Sequence, residues 1–383
     1  MRIAYVCADP GIPVYGSKGA SIHVQSVLEV LLRRGHEVHL VTPRVGGTTP
    51  PAVTVHTLPP VGGGDAAGRE ARARLSDAQV TDVLDVVAPD LVYERYSLWG
   101  RTATAWAGRR GVPSVLEVNA PLVDEQAAHR GLVDRNGAEE VARAALAAAS
   151  AVVCVSAAVR QWVERISGRR SGVHVLPNGV DPARIHPATR AVSPARGKPF
   201  TVGFVGTLKP WHGLETLLPA FGRLHADDPS WRLLLVGDGP MRARIEQQAA
   251  RLNLEEGLEL VGAVPADQVV HQLHRMDLAC APYPATEASY FSPLKIYEYL
   301  AAGLPVVASA IGQVPQALRH GGLGRLVPPG DEAALAKHLR EARADLGWRA
   351  RMRVEARAAA VADHTWTSVV DRTLSLLGQE AFA

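Results

Sequence analysis

The sequence has 383 residues, of which 47% are hydrophobic and 21% are charged, which is typical of a globular protein with two domains of common size. Aromatic residues make up 5% and the formal net charge is +3, so neither an aromatic nucleic-acid platform nor a polybasic surface is predicted. Cys7, Cys154 and Cys280 each lie within an apolar run, which indicates buried thiols in a reducing compartment rather than disulfides or a zinc site.

The start of the chain shows no signal peptide, because only a short apolar run precedes Asp9. Residues 144–159 come nearest to a membrane span, but they are too few and are typical of a helix end that leads into a buried strand. A cytoplasmic location is therefore expected, and peripheral membrane contact stays open.

Along the first half of the chain, short Val-rich runs alternate with longer helical patterns. The first run, residues 3–8, has the unbroken apolar character of a strand buried on both faces of a parallel sheet. A helix is predicted over residues 20–34, with apolar residues on one face and Gly35 as its stop signal. Further strands are predicted at residues 37–42, 91–93, 114–118, 152–155 and 174–176.

The pattern restarts after residues 186–199, a Pro-rich polar segment without periodicity that predicts a domain boundary. A final helix is predicted over residues 365–377. The second set of strands is predicted at residues 200–205, 233–236, 258–261, 278–281 and 306–308.

Strands that alternate with helices form parallel βαβ units, so the predicted fold class is α/β with two doubly wound, Rossmann-like domains facing across a cleft. The expected domains are residues 1–190 and 195–364, and a helix within residues 365–383 is expected to pack back on the first domain.

Glycine-rich turns at strand ends are the places to look for ligands in such sheets. In residues 9–21, Gly16 and Gly19 precede a helix whose free N–H groups can hold an anion, although a turn without a ligand explains the pattern equally well. The spacing fits neither a dinucleotide fingerprint nor a P-loop.

Two further turns follow strands of the second set. In residues 203–213, Gly206 lets a ligand approach the backbone, and Lys209 and His212 are placed to neutralise a diphosphate, unless both are solvated surface side chains. The turn at residues 235–240 is expected to be structural.

Residues 290–309 read YFSPLKIYEYLAAGLPVVAS and carry the densest signals in the chain. Ser292 is a good N-cap and Pro293 a good first helical residue. Lys295 and Glu298 are three residues apart and share a helix face. The helix N-terminus with Lys295 fits a diphosphate, and Glu298 fits a ribose diol one turn further on.

With these motifs, and with PNGVDP, VGFVGTLKPWHG, LLLVGDGP, LVGAVP and LVPPGD in this order, nearly the whole chain resembles the GT-B glycosyltransferases of family 4. That group is retaining and metal-independent. The resemblance implies a transferase of the EC 2.4 class that moves a sugar from a nucleoside-diphosphate sugar, either UDP- or GDP-linked, to a hydroxyl acceptor. It implies no other cofactor and no metal.

The resemblance also implies roles for individual residues on the donor side. Glu298 is matched to the ribose contact, Leu294 and Lys295 to the diphosphate cradle, and Tyr290, Phe291 and Ser292 to the donor sugar. Gly19 is matched to a glycine that approaches the phosphates, and Val264 to a backbone contact with the base.

The sequence departs from the family pattern at four positions. Tyr290 stands eight residues before Glu298, where the family carries an acidic residue, and Asn119 stands where many members carry a His. Thr207 and His212 replace an Arg and a Lys, so Lys209 or Lys295 is expected to supply the missing charge. The candidate catalytic residues are therefore Asn119, Lys209 and Lys295.

The acceptor is expected to be a small molecule, natural product, glycan or lipid-linked hydroxyl that lies against the first domain. The candidate contacts are Ser21, His23, Glu125 and His129, each of which has a plain alternative as a helix-surface residue. Asp124 and the strand-end residues Glu94, Arg95 and Tyr96 are further possibilities.

Two other classes of function stay open. One is an altered relative that forms a non-glycosidic bond or acts as a sugar phosphorylase. The other is an inactive nucleotide-sugar-binding partner, for which the residues at positions 290 and 119 argue. A dinucleotide-dependent oxidoreductase is disfavoured because its fingerprint is absent.

Overall fold

The computed structural model describes residues 1–189, 199–285 and 289–380. Their contacts divide the chain into two compact units. Unit 1 comprises Met1–Asn178 and the C-terminal segment that begins at Trp366, and unit 2 comprises Gly179–Thr365.

Unit 1 is built on a seven-stranded sheet in which all neighbouring strands are parallel. Its strands are β1 (Arg2–Cys7), β2 (Glu37–Thr42), β3 (Val53–Thr57), β4 (Leu91–Arg95), β5 (Ser114–Val118), β6 (Ala151–Cys154) and β7 (Val173–Val175). Their order is β3-β2-β1-β4-β5-β6-β7, which reverses direction between β1 and β4. The helices between them are α1 (Gly19–Arg33), α2 (Ala66–Ala78), α3 (Val80–Val87), α4 (Thr102–Arg110), α5 (Leu122–His129), α6 (Arg135–Ala148) and α7 (Ala157–Ser167).

Unit 2 repeats this architecture with a six-stranded parallel sheet. Its strands are β8 (Phe200–Val205), β9 (Trp231–Val236), β10 (Leu258–Gly262), β11 (Leu278–Ala281), β12 (Val306–Ser309) and β13 (Arg325–Val327). Their order is β10-β9-β8-β11-β12-β13, with the reversal between β8 and β11. The helices are α8 (Leu214–Asp227), α9 (Arg242–Arg251), α10 (Val269–Leu273), α11 (Leu294–Ala301), α12 (Val314–Ala317), α13 (Glu332–Ala344) and α14 (Leu346–Asp363).

The last helix, α15 (Trp366–Glu380), packs on unit 1. Asp371 pairs with Arg34 at the end of α1, and the Trp366 ring lies 4.6 Å from the His23 ring. The chain therefore returns to its first domain after completing the second.

The two doubly wound parallel sheets predicted from the sequence are confirmed. Strands β3 and β13 were not predicted, because each lies at a sheet edge, is short and is only partly buried. Interior strands such as β6 and β11 are buried at every residue, which is why they read as unbroken apolar runs.

The division between the units lies before the expected boundary at residues 186–199, of which residues 190–198 fall outside the described part of the chain. Residues 179–189 already pack in unit 2. Ile185 is fully buried in its core, and the Arg357 guanidinium donates to the Ile185 carbonyl at 2.8 Å.

The three cysteines are confirmed as buried, free thiols. Burial raises the pKa of both Cys7 and Cys154 to about 12. Among the helices that the structure describes, none has the length and apolar character needed to cross a membrane.

Candidate functional site

Ligands bind doubly wound sheets outside the carboxyl ends of the strands, at the point where the strand order reverses. In unit 2 that point lies between β8 and β11. The turn after β8, which ends in the short 3₁₀ helix Pro210–His212, and the N-terminus of α11 therefore form the candidate donor site of this unit.

The turn after β8 depends on two glycines that let backbone segments approach closely. Gly206 has a φ of 147°, and a Cβ on Gly237, after β9, would lie 2.1 Å from the Gly206 carbonyl oxygen. A side chain at either position would displace the turn. The turn at residues 235–240 thus supports the β8 turn, as expected for a structural element.

Lys295 lies beside Gly206 at the start of α11. A Cβ on Gly206 would be 3.2 Å from the Lys295 Nζ, so a side chain there would crowd the ammonium group. The lysine is only 9% exposed, and its Nζ has no hydrogen-bond partner among the described residues. The Nζ lies 4.1 Å from the centroid of the Phe204 ring and 5.1 Å from that of Tyr283.

Burial lowers the pKa of Lys295 to about 7, although the nearby Glu298 carboxylate opposes the shift. A buried cation without a hydrogen-bonded acceptor is costly, and most proteins avoid it. The arrangement is therefore suited to an anion that completes the coordination of the ammonium group.

His212 differs from the sequence expectation that it would help to neutralise a diphosphate. Its Nδ1 donates to the Thr207 carbonyl, and burial together with the charges of Lys295 and Lys209 lowers the pKa of His212 to about 3. The imidazole is neutral at physiological pH and fixes the shape of the turn. The positive charge of the site therefore resides on the two lysines.

Glu298 faces an arginine that sequence reasoning missed. Arg184 Nη2 donates to Glu298 Oε1 at 3.1 Å, and Arg184 Nη1 donates to the Ala266 carbonyl at 3.0 Å. Both side chains are mostly buried, at 23% and 18% exposure for Arg184 and Glu298. One guanidinium thus joins the predicted ribose contact to the segment that follows Val264, the predicted base contact.

Replacing Arg184 with alanine is expected to weaken nucleoside-diphosphate binding about tenfold, because Glu298 loses the donor that orients its carboxylate. Calorimetric titration checks this result. Arg275→Ala is the matched control, since Arg275 forms an exposed ion pair with Glu259 in the same unit. Equal losses in the two variants would contradict a positioning role for Arg184.

The start of α11 differs from the predicted cap. The helix begins at Leu294, the N-cap position is Pro293, and no side chain caps it. The buried Ser292 side chain instead hydrogen bonds with Tyr297 on the next turn. The amide of Leu294 is therefore the first one that the helix itself can offer to an anion, because Pro293 has no N–H.

The remaining predicted donor contacts lie around this point. Phe291 is half-buried, with its ring 4.8 Å from that of Tyr283, and Tyr290 is half-buried beside it. Lys209 is half-buried, with its Nζ 5.5 Å from the centroid of the exposed Trp211 ring. Gly19 belongs to unit 1, where it is the exposed first residue of α1.

In unit 1, Asn119 follows β5 and is held by a buried carboxylate that sequence reasoning also missed. Asn119 Nδ2 donates to Glu117 Oε1 at 2.6 Å, and Tyr93 donates to Glu117 Oε2 at 2.8 Å. His23 Nε2 and Arg95 Nη1 lie 2.6 Å and 3.6 Å from the same Oε1 atom. A carboxylate inside the apolar run SVLEV was the available sequence signal.

Burial alone would raise the pKa of Glu117, but His23, Arg95 and Asn119 together hold it at about 2. Glu117 is therefore ionised, and it orients the Asn119 amide. The network gives Asn119 a fixed position at the carboxyl end of the sheet.

The four predicted acceptor contacts of unit 1 lie in different surroundings. Ser21 and His23 are buried, and Ser21 donates to the Pro13 carbonyl at 2.6 Å. Both side chains therefore belong to the interior of unit 1. Glu125 on α5 pairs with Arg130 at 2.9 Å, and His129 at the end of that helix is exposed.

Two protein-family models match different parts of the chain. Residues 17–184 match the model described as Glycosyltransferase Family 4, and residues 199–345 match the model described as Glycosyl transferases group 1. A glycogen synthase of Mycobacterium tuberculosis is 28% identical over 291 residues, which cover 74% of this chain and 67% of the relative. The chain spans smaller shares, down to 22%, of several other curated relatives.

Two solved structures share the fold over almost their whole length. Sucrose-phosphate synthase from Thermosynechococcus elongatus has a TM-score of 0.78 at 20% identity and covers 99% of both chains. Anabaena HepE, in complex with UDP and glucose, has a TM-score of 0.72 at 21% identity with the same coverage. The fold is therefore GT-B.

Proposed function

We propose that this chain, whose two units carry glycosyltransferase domains of the GT-B fold, moves a sugar from a nucleoside-diphosphate sugar to a hydroxyl acceptor. The observation that carries the proposal is the buried Lys295 ammonium group beside the glycine turn of β8, to which no described residue offers a hydrogen-bond acceptor. A diphosphate is the ligand that fits a cation, a close-approaching backbone and a helix N-terminus together.

The donor nucleotide is proposed to lie along α11. The diphosphate contacts Lys295 and the first amides of the helix, and Lys209 adds a second positive charge. One turn further on, Glu298 accepts hydrogen bonds from the ribose diol, with Arg184 holding its carboxylate. The base lies near Val264. The structure of HepE with UDP supports a uridine nucleotide, and a guanosine nucleotide is the alternative.

The reaction breaks the bond between the anomeric carbon and the diphosphate oxygen. Negative charge develops on the leaving diphosphate, and the fixed cations stabilise it more in the transition state than in the ground state. Because these charges come from side chains and helix amides, the proposed chemistry does not depend on a metal ion.

We propose that the configuration of the anomeric carbon is retained. The acceptor hydroxyl then attacks from the face that the diphosphate leaves, and a diphosphate oxygen takes the acceptor proton. The anomeric coupling constant of the product, measured by proton NMR, distinguishes retention from inversion.

A second candidate is an inactive nucleotide-sugar-binding partner. It is favoured by Tyr290 and Asn119, which replace the acidic residue and the histidine of the family pattern. This candidate predicts the same donor binding without turnover.

Thermal-shift measurement with nucleoside diphosphates tests the binding half of the proposal. Uridine, guanosine, adenosine and thymidine diphosphates at 1 mM are compared, and one of them is expected to raise the melting temperature by several degrees, because ligands that bind only the native state stabilise it. The matching nucleoside, which lacks the diphosphate, is the control and is expected to give a much smaller shift. No shift with any diphosphate would contradict the proposal.

A further inference from the structure

Unit 1 contains a cavity of about 320 Å³ at the carboxyl end of its sheet. Its floor is formed by residues 8–11, after β1, and residues 97–100, after β4. The strand order of unit 1 reverses between these two strands. The cavity therefore occupies the position where doubly wound sheets bind ligands, and none of the predicted acceptor contacts lines it.

The walls of this cavity, called here the unit 1 pocket, are mainly apolar. Helix α2 contributes Ala66 and Ala73, and α5 contributes Leu122. The other apolar lining residues are Ala8, Pro10, Val61, Leu98 and Trp99. Burial of apolar surface is thus the main source of binding free energy that the pocket offers.

The charged residues that line the pocket are engaged with other protein groups. Glu70 accepts from the backbone amides of Val133 and Asp134 at 2.8 and 3.1 Å, and Asp77 accepts from the Thr102 hydroxyl at 2.6 Å. Arg130 pairs with Glu125.

The other two charged lining residues are bonded as well. Arg69 donates to the Gly64 carbonyl at 2.6 Å, and Asp9 accepts from the Gly11 amide at 2.7 Å. The lining therefore holds three carboxylates and two arginines, so its own side chains offer no excess of positive charge for a phosphate.

One end of the pocket can bind a ligand hydroxyl. Ser97 lines this end, and the Glu94 carboxyl lies behind it: a Cβ on Gly100 would be 2.4 Å from the Ser97 hydroxyl and 2.9 Å from Glu94 Oε1. Glu94 is fully buried, and burial together with Asp77 raises its pKa to about 8. The carboxyl is therefore largely neutral at pH 7, so this end has polar groups while adding little charge.

We infer that the unit 1 pocket binds the acceptor, and that the acceptor is a neutral, largely apolar molecule that carries a hydroxyl group. That the ligand is the acceptor rests on the proposed function, whereas the chemical class of the ligand follows from the pocket alone. A cavity of this size is at the small end of ligand pockets and suits a body of about two fused rings.

Calorimetric titration with 2-naphthol, a neutral two-ring alcohol, tests the inference. Binding by the full chain is expected, and Ala73→Phe is expected to weaken it at least tenfold because the phenyl ring fills the pocket. Leu75→Phe is the matched control on the same helix, since Leu75 is 67% exposed, and it is expected to bind as the unchanged protein does. Ala66→Phe fills the same wall and serves as a second variant if Ala73→Phe does not fold.

The phosphate ester of 2-naphthol is expected to bind at least tenfold more weakly than 2-naphthol itself. No binding of 2-naphthol, equal binding by the filled and control variants, or tighter binding of the phosphate ester would overturn the inference. Nucleoside-diphosphate affinity is measured on the same samples. If the unchanged protein binds naphthol but no nucleoside diphosphate, the donor site in unit 2 is contradicted. If it binds a nucleoside diphosphate but no naphthol, the unit 1 pocket is contradicted.

Discussion

Lys295→Met is expected to lower nucleoside-diphosphate affinity at least a hundredfold and, at the same time, to stabilise the unliganded protein. The substitution removes the cation that contacts the diphosphate and replaces it with an apolar side chain of similar length. Charge-assisted contacts with phosphate typically contribute about 1.5–3 kcal/mol each, and the lysine side chain offers up to three donors. Calorimetry gives the affinity, and thermal or denaturant unfolding gives the stability.

The stability gain follows from the depressed pKa of Lys295, which is about 7 in the folded chain against an ordinary value of 10.5. The folded state disfavours the charged form, so the ionised lysine costs stability fully below pH 7, and the cost fades as the pH rises from 7 to 10.5. Methionine avoids this cost, which is worth about 2–4 kcal/mol near pH 7. The gain should shrink towards pH 10.

Lys337→Met is the control for both measurements, because Lys337 lies in the same unit and its side chain is 71% exposed. It is expected to change neither affinity nor stability appreciably. Two outcomes would contradict this account of Lys295 as a destabilising buried cation that binds the diphosphate. One is a Lys295→Met protein that melts at a lower temperature than the unchanged protein at pH 7. The other is a Lys295→Met protein that keeps its affinity for the nucleoside diphosphate.

The pH dependence of binding provides an independent check on the same group. Below pH 7 the ammonium group is charged before the diphosphate arrives, whereas above pH 7 binding must take up a proton. Affinity is therefore expected to fall by up to tenfold per pH unit above 7 in the unchanged protein, and to be nearly flat in Lys295→Met. Titrations in two buffers of different ionisation enthalpy detect the proton directly.

Glu298→Ala is expected to weaken nucleoside-diphosphate binding by about a hundredfold while leaving the binding of inorganic pyrophosphate almost unchanged. The reason is that Glu298 is proposed to contact only the ribose, where two hydrogen bonds to a carboxylate contribute about 1.5–3 kcal/mol each before the cost of ordering. Lys295→Met, in contrast, should reduce the affinity for both ligands. The comparison of the two ligands separates loss of a ribose contact from general damage to the site.

Glu355→Ala is the matched control for Glu298→Ala, because Glu355 is an exposed helix residue of unit 2. A double-mutant cycle with Arg184→Ala adds a second constraint. The two substitutions are expected to be non-additive, since Arg184 acts through the carboxylate that Glu298→Ala removes. Additive losses, or an unchanged nucleoside-diphosphate affinity in Glu298→Ala, would contradict the assignment of the ribose contact.

The sequence predicted the interior of the fold well, because a strand buried on both faces leaves an unbroken apolar run. Edge strands such as β3 carry exposed polar residues and leave no such pattern. Residues that lie close together in sequence could also be related from the sequence alone. The spacing of Lys295 and Glu298, for example, predicts that they share a helix face.

Contacts between residues that are distant in sequence could not be predicted in this way. Arg184 lies 114 residues before Glu298, and no local pattern joins the two. The neutrality of His212 likewise depends on burial and on Lys295, which is distant in sequence. The unit 1 pocket is formed by segments from four parts of the chain, each of which looks like an ordinary loop or helix on its own.

Release of nucleoside diphosphate from a panel of UDP-, GDP-, ADP- and TDP-sugars, followed together with glycosylated product by mass spectrometry, tests sugar transfer most directly. With 2-naphthol as acceptor, one donor is expected to give diphosphate and naphthyl glycoside in equal amounts, and Lys295→Met is expected to give neither. Donor binding without release from any donor, with or without an acceptor, would contradict sugar transfer and identify the chain as a nucleotide-sugar-binding protein.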